Sequence, residues 1–329
     1  MTGLRPAAQR SDRLDYLDGW RGLAITLVLC AHFLPAAPWI DSGRFGVDVF
    51  FCLSGFLMSN ILFVKRTPLP VFYKRRISRI LPVFLLFVGT TFGVAWYIRG
   101  SISWVELLST ATFFRTYIPA SPSIWHAELP LAHLWSLNAE EHCYVFLSIL
   151  ASLALLRRRE GWLLIGVGML TIVLHVAYIK VPALKPPSGD LGTEVVASHL
   201  LISAGYFLIC APLRRFVQPW MPVAALCCAG VCYTSLAPWW SAMLLSPFLL
   251  AFAINHLSDA PHAFRRALAL PLLRLLGVWS YSLYIWQQPF YEFSDLLVPG
   301  GAFAGALTLG LVSFYCFENP VRTWLNKNW

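Results

Sequence analysis

Long apolar runs recur along the chain and are interrupted by short polar segments. Each run is about 18 residues or longer, the length that a helix needs to cross a hydrocarbon core about 30 Å thick. The runs are continuously apolar rather than alternating, and this pattern disfavours a transmembrane β-barrel. We therefore predict ten membrane-spanning helices, at residues 17–36, 45–64, 80–98, 134–156, 161–180, 194–212, 218–236, 239–257, 272–290 and 301–318.

The composition supports a membrane protein. Of the 329 residues, 58% are hydrophobic and 12% are charged, whereas a soluble domain carries about 25% charged residues. A soluble protein of this length cannot bury so much apolar surface. The predicted fold is an all-α, polytopic membrane helix bundle: an N-terminal tail at 1–16, a transmembrane domain at 17–320 and a C-terminal tail at 321–329.

Positive charge is distributed unevenly between the two sides of the predicted bundle. With the N-terminus in the cytosol, 20 of the 25 lysines and arginines fall in cytosolic segments and 5 in outer segments. Cytosolic loops of membrane proteins carry such an excess. The net charge of +9 is therefore interpreted as a topology signal and not as a nucleic-acid-binding surface, and both termini are predicted to be cytosolic.

All 8 cysteines lie within predicted spans. Their spacing matches neither a disulfide framework nor a metal site. We interpret them as small packing residues, and we expect no metal ion.

Ionisable and amide groups inside spans are rare and usually face the interior of a bundle. Counting from the span ends with the helical rise of about 1.5 Å per residue predicts two levels. An inner level holds Asp18, Arg21, Arg76, Arg79 and Glu318. An outer level holds His32, Asp48, Glu140, Glu141 and Gln287.

Helical geometry sorts the polar residues of the fourth span further. Ser136, Glu140 and Tyr144 repeat every fourth residue and share one face, whereas His142 points away from Glu140. Trp135 lies at the predicted outer boundary, where aromatic residues form an interfacial belt.

Simple structural explanations exist for each of these residues taken alone. His32 is explained as a structural histidine, Glu140 as the partner of an arginine, and Arg76 and Arg79 as topology signals. Asp18 and Arg21 have the spacing of an ordinary helical ion pair. Ser54 and Gly55 fit close packing between helices. The outer segment 99–133, with its amphipathic stretch "SISWVELLSTATFF", is either a flap over a polar site or an interfacial linker.

Six segments carry a family resemblance: "RLDYLDGWRGLAITLVLCAHF" (13–33), "GVDVFFCLSGFLMS" (46–59), "YKRRISRILP" (73–82), "HLWSLNAEEHCYVFL" (133–147), "WSYSLYIWQQP" (279–289) and "YCFENP" (315–320). Each is a weak signal alone, but their common order and spacing are specific. Together they resemble the bacterial acyltransferase-3 family of integral membrane O-acyltransferases, from residue 13 to 322.

The resemblance implies a ten-helix enzyme of the bacterial cytoplasmic membrane. It would use cytosolic acyl-CoA, commonly acetyl-CoA, as a co-substrate and hold no bound cofactor. The acceptor would be a hydroxyl of a sugar, a polysaccharide or a glycosylated small molecule. Many members carry a histidine where this chain has Gln287, so either that histidine is not an obligatory base here or the acceptor of this protein differs.

The family's functional residues map onto this chain one by one. His32 and Glu140 are the expected catalytic residues, with His32 as the base that activates the acceptor hydroxyl and Glu140 as its carboxylate partner. Arg21, Arg76 and Arg79 are expected to bind the acyl-CoA phosphates. The expected substrate-lining residues are Asp48, Ser54, Trp135, Tyr144, Tyr284 and Gln287.

Two other functions remain open from sequence. A transporter or flippase of a polar or glycosylated solute would also need many spans and intramembrane carboxylates, although no internal repeat supports it. A degenerate family member that acts as a binding or assembly subunit is the third possibility, and Gln287 is the hint for it.

Overall fold

The computed structural model describes residues 7–34, 39–126, 128–153, 158–298 and 300–329, and side chains from residue 15 onward except at 126. Arg5 and Arg157, two of the cations counted as cytosolic, lie outside these ranges. So do the predicted ends of the first span at residues 35–36 and of the fourth span at residues 154–156. Within them the chain is helical without a β-strand, apart from one isolated bridge between Ile40 and Thr234. The all-α prediction is confirmed.

The described residues form fifteen α-helices. Two π-helical segments, Asn60–Val64 and Phe314–Glu318, continue the second and fourteenth helices. A helix overlaps each of the ten predicted spans. The helices are α1 Ala7–Phe33, α2 Ser42–Ser59, α3 Leu69–Arg99, α4 Trp104–Ala111, α5 Leu134–Ser152, α6 Glu160–Lys180, α7 Thr193–Val196, α8 Ser198–Ile209, α9 Met221–Val231, α10 Ser241–Leu244, α11 Ser246–Asn255, α12 His262–Leu268, α13 Pro271–Glu292, α14 Gly301–Ser313 and α15 Asn319–Asn328.

Four helical stretches of the described chain are long and apolar enough to cross a membrane: Ser42–Val64, Leu69–Arg99, Glu160–Lys180 and Gly301–Asn328. A fifth results if α12 and α13, which are bent by 52° at their junction, count as one span. α8, α9 and α11 are apolar but shorter. The protein is thus a multi-pass membrane protein, while the number of ten spans and the cytosolic termini stay predictions.

The chain divides into two compact units. The first unit comprises the chain up to Leu57 with Arg159–Gly166 and His199–Ser280, and the second comprises Met58–Arg158, Val167–Ser198 and Tyr281–Trp329. The core of the first unit contains Trp20, Val49 and Leu250, which are all buried.

Close backbone approach in the first unit depends on glycines. A Cβ atom on Gly55 would lie 2.1 Å from the carbonyl oxygen of Leu200, and one on Gly22 would lie 1.9 Å from that of Leu273. Both distances are far below van der Waals contact, so only glycine fits at either position. The close-packing interpretation of Gly55 is confirmed.

The second unit is built on α3 and α5, which run antiparallel. The Tyr73 and Ser148 hydroxyls are 2.6 Å apart, and further along α3 the Phe87 ring lies 5.3 Å from the His133 ring at the start of α5. On another side of α3, the Ser78 hydroxyl donates to the Asn326 side-chain oxygen at 3.1 Å. α3 therefore connects α5 with α15.

Candidate functional site

Arg76 of α3 meets both carboxylates of α5. Its Nε and Nη2 atoms donate to Oε1 of Glu141 at 2.9 and 2.6 Å. Nη2 also lies 3.7 Å from Oε2 of Glu140. All three side chains are largely buried but keep some exposure, 13% for Arg76, 22% for Glu140 and 19% for Glu141. This cluster is the candidate functional site of the second unit.

Tyr144 completes the cluster from the next turn of α5. Its hydroxyl donates to Oε1 of Glu140, and the Arg76 guanidinium carbon lies 3.8 Å from the centre of its ring. A cation over an aromatic face is attracted by the ring quadrupole. Glu140 is therefore oriented by a tyrosine and an arginine, and the predicted shared face of Glu140 and Tyr144 is confirmed.

The prediction of two separate levels is wrong for these residues. It placed Arg76 at the inner face and Glu140 and Glu141 in the outer third, yet Arg76 lies within hydrogen-bonding distance of Glu141. The reason is that α5 begins beside Phe87, about 18 Å along α3 from Arg99. Counting from a presumed outer boundary at residue 134 therefore displaced the carboxylates.

Trp135 is affected by the same displacement. It is only 6% exposed, so it lies inside the protein and not in an interfacial aromatic belt. Its predicted substrate-lining role is a separate question and stays a prediction.

His142 lies on the other side of α5, as helical geometry predicted. Its Nδ1 atom is 2.8 Å from the Thr193 hydroxyl, and its ring is 5.0 Å from that of Phe114. His142 is therefore directed to the outer segment and α7, away from Glu140.

The outer segment is tied to the second unit by side chains. Tyr117 donates to Oε2 of Glu194 at 2.6 Å and accepts the backbone N–H of Thr193 at 2.7 Å. Burial, together with the bond to Glu194, raises the pKa of Tyr117 to about 12. Fully buried Arg115 binds Oε1 of Glu106 through Nε and Nη2, at 3.0 and 2.7 Å. The segment is thus packed in place, and Trp104 on the preceding α4 is exposed.

The other substrate-lining candidates of the second unit lie on α13 and beside the start of α5. The Tyr284 hydroxyl donates to the His133 carbonyl at 2.8 Å and lies 2.6 Å from the Ser136 hydroxyl. Gln287 is fully buried. Ser136 shares the Glu140 face, so these groups continue one polar stripe of α5.

Glu318 is a buried carboxylate beside the middle of α13. Ser282 donates to its Oε2 atom at 2.6 Å, and Nη1 of Arg322 lies 3.5 Å from Oε1. Arg79 also acts electrostatically on this carboxylate. Glu318, Arg76 and Arg79 thus all belong to the second unit.

In the first unit, Asp48 lies in a buried polar network. Its Oδ2 atom accepts from Arg44 Nε at 3.0 Å and from the Tyr233 hydroxyl at 2.7 Å, and its Oδ1 atom lies 3.4 Å from His199 Nδ1. Ser246 closes the network, 2.9 Å from the Tyr233 hydroxyl and 3.3 Å from His199 Nε2.

The partners of Asp48 were not predicted from sequence. His199 was a usable signal of a functional or structural polar site. It lies within the predicted span 194–212, and ionisable groups inside spans rarely lack a role. Tyr233 and Ser246 gave no such signal, since both residue types are common in apolar helices.

The remaining predicted residues also lie in the first unit. Arg21 pairs with Asp18 at 2.7 Å, as an i, i+3 ion pair. His32 is half-buried near the end of α1, and Ser54 is half-buried on α2. The pairing of His32 with Glu140 stays a prediction. Equal depth in the membrane no longer supports it, because Glu140 lies beside Arg76, which was assigned to the other level.

Comparison with known proteins relates the chain to proteins named for acyl transfer. A family described as an acyltransferase domain (Acyl_transf_3) matches residues 14–317. A protein of Komagataeibacter xylinus named as a membrane-bound transacylase, BcsY, is 28% identical, with 90% of this chain and 78% of BcsY covered. No solved structure matches the chain.

Two O-acetyltransferases are also similar. OatA of Staphylococcus aureus is 27% identical, with 85% of this chain and 51% of OatA covered. The peptidoglycan O-acetyltransferase OatA of Listeria monocytogenes is 27% identical, with 93% of this chain and 55% of that protein covered. The chain thus spans about half the length of the OatA proteins.

The helical membrane fold, the polar cluster and these similarities together define the class of protein to which the chain belongs. The chain belongs to the acyltransferase-3 family, whose profile matches nearly its whole length. It is a multi-pass membrane acyltransferase, and its relatives include proteins named as O-acetyltransferases.

Proposed function

We propose that the protein transfers an acyl group, commonly acetyl, from cytosolic acyl-CoA to a hydroxyl of a sugar, polysaccharide or glycosylated small molecule. The observation that carries this proposal is the cluster of Arg76, Glu140, Glu141 and Tyr144 in a family of membrane acyltransferases. We place the enzyme in the bacterial cytoplasmic membrane, with ten spans and both termini in the cytosol. No tightly bound cofactor is part of the proposal.

The reaction requires a base and stabilisation of negative charge. The acceptor hydroxyl loses its proton to the base as its oxygen attacks the thioester carbonyl, which forms a C–O bond. The C–S bond then breaks, and the CoA thiolate leaves and takes up the proton. We assign the base to His32, because a neutral imidazole is suited to accept this proton.

Glu140 is the second catalytic residue in this proposal. Its position beside Arg76 and Tyr144 fixes the carboxylate, as a positioned catalytic group requires. Arg21 and Arg79 remain proposed ligands of the donor phosphates. Asp48, Ser54, Trp135, Tyr144, Tyr284 and Gln287 remain proposed substrate-lining residues.

A glycan acceptor is supported by one relative. The Listeria protein is named a peptidoglycan O-acetyltransferase, and a sugar hydroxyl is the group that such an enzyme acylates. For this chain we propose the wider class of sugar hydroxyls, because similarity at 27% identity does not define one acceptor.

The proposed function is tested with acetyl-CoA carrying a labelled acetyl group. Membranes containing the protein should transfer the label covalently to a glycan or glycosylated acceptor, and His32→Ala at equal protein level should reduce turnover about 100-fold or more. Normal turnover by His32→Ala would exclude His32 as the base. Movement of a glycosylated solute across the membrane without covalent label would instead support a transporter.

A further inference from the structure

The basic stretch of α3 contains cations with different surroundings. Arg76 is largely buried and bound to carboxylates, whereas Lys74 and Arg75 are exposed. Within the described part of the chain, no hydrogen bond or ion pair engages the side-chain nitrogens of Lys74 or Arg75. Neighbours in sequence therefore have different capacities to bind an anion.

Arg76 is poorly suited to bind a phosphate. Its Nε and Nη2 atoms are used by Glu141, and the face of its guanidinium group lies on Tyr144. A phosphate that took these donors would leave two neighbouring carboxylates without their cation, and like charges at such distances repel strongly in a low-dielectric setting. Arg76 is accordingly needed where it is.

A third exposed cation, Lys327, directly follows a residue of α15 that contacts α3 one turn from Lys74 and Arg75. Lys74 is four residues from Ser78 and therefore on the same side of α3. The Ser78 hydroxyl binds the side chain of Asn326 at 3.1 Å, and Lys327, the next residue of α15, is exposed. We call Lys74, Arg75 and Lys327 the basic rim.

We propose that the basic rim binds the phosphate groups of the acyl donor, and that Arg76 is a positioning residue that holds Glu140 and Glu141. The inference rests on the proposed use of acyl-CoA and refines it. Coenzyme A carries a diphosphate and a 3′-phosphate, and exposed guanidinium and ammonium groups bind such anions. Arg76 would affect catalysis through the carboxylates without touching the phosphates.

The test compares two variants of the full chain in nanodiscs of neutral lipid. Lys74→Ala/Arg75→Ala should raise the Kd for free coenzyme A and the KM for acetyl-CoA by about tenfold or more and leave kcat nearly unchanged. Arg76→Lys should lower kcat by about tenfold or more and leave the Kd for coenzyme A nearly unchanged. Glu141→Gln should behave as Arg76→Lys does.

Two further measurements make the assignment specific. Dephospho-coenzyme A lacks the 3′-phosphate, and the wild type should bind it more weakly than coenzyme A, whereas Lys74→Ala/Arg75→Ala should lose most of this preference. Arg215→Ala/Arg266→Ala removes two exposed cations of the first unit and should leave binding unchanged. Thermal unfolding of each variant shows whether the folded fraction is equal.

Each contrary result has a distinct meaning. If the wild type binds no coenzyme A, the proposed donor and this inference both fail. If the wild type binds it and Lys74→Ala/Arg75→Ala binds equally well, the basic rim is excluded as the phosphate-binding site, and the proposed donor is unaffected. An effect of the double substitution only with anionic lipid present would make the rim a contact for lipid headgroups. A raised Kd with unchanged kcat in Arg76→Lys would make Arg76 a donor-binding residue.

Discussion

One cation contacts two carboxylates in the cluster formed by Arg76, Glu140 and Glu141. Glu141 takes the shorter contacts and Glu140 the longer one, while Tyr144 donates to Glu140. The two adjacent glutamates therefore differ: Glu141 fixes the arginine, and Glu140 has a carboxylate held at two points. Glu141 thus has a pairing role with Arg76.

Asp48 shows how a single buried charge can contribute to stability. It is 1% exposed and accepts hydrogen bonds from Arg44 and Tyr233. We expect Asp48→Asn to lower the free energy of unfolding by about 2–3 kcal/mol, because the Arg44 guanidinium loses its ionic partner and the amide offers one acceptor oxygen where the carboxylate offers two. The loss is measured as a lower midpoint of thermal unfolding in detergent.

Asp41→Asn is the matched control for this substitution. Asp41 is exposed and accepts the Arg44 backbone N–H at 2.9 Å, a role that asparagine can also fill. Equal stability of the two variants would contradict a structural role for Asp48. A stable Asp48→Asn protein with a raised KM for the acceptor would instead support its predicted substrate-lining role.

At the scale of elements, the helices of the first unit pack at distances that exclude side chains at certain positions. Gly55 of α2 is the clearest case, since its Cβ would lie 2.1 Å from the Leu200 oxygen and 3.0 Å from the Ala204 nitrogen. Small residues at such contacts let membrane helices approach closely. The "LSGF" segment thus has a role in helix packing that does not depend on any role in the reaction.

We expect Gly55→Ala to destabilise the protein by about 1–3 kcal/mol, because a methyl group must force α2 and α8 apart. Gly89→Ala on α3 is the control, since nothing lies within 4 Å of the Cβ position there. That substitution should be neutral or stabilise the helix by about 0.5–1 kcal/mol. The midpoints of thermal unfolding of both variants test this expectation. Equal midpoints would argue against tight α2–α8 packing.

At the scale of the whole molecule, the property to predict is the path of the chain across the membrane. Several predicted spans occur as short or interrupted helices, yet the distribution of Lys and Arg favours an even number of crossings. Backbone polar groups exposed to lipid must be satisfied by hydrogen bonds, so the shorter helices need protein neighbours.

Reporter fusions test this topology. Alkaline phosphatase, which is active only outside the cytosol, should be active when fused after Lys185 and inactive when fused after Lys327. Green fluorescent protein at the same positions should give the opposite result. Activity of the phosphatase after Lys327 would place that end outside and contradict ten spans with both termini in the cytosol.

The sequence by itself determined the helices and several local features. Long apolar runs allow only helices in a membrane once a barrel is excluded, and each predicted span does overlap a helix. Faces within one helix follow from the 3.6-residue period, so the separation of Glu140 from His142 and the Asp18–Arg21 pair were both predictable. The family motifs likewise need only the order of residues.

Tertiary structure alone decided which helices meet and at what height. The offset between two antiparallel helices is set by packing along both, and α3, with 31 residues, exceeds the about 20 residues that cross a bilayer. Depth therefore could not be counted from the ends of the predicted spans. That offset brings Arg76 to Glu141, and long-range packing likewise brings His199, Tyr233 and Ser246 to Asp48, because partners distant in sequence are selected by three-dimensional fit.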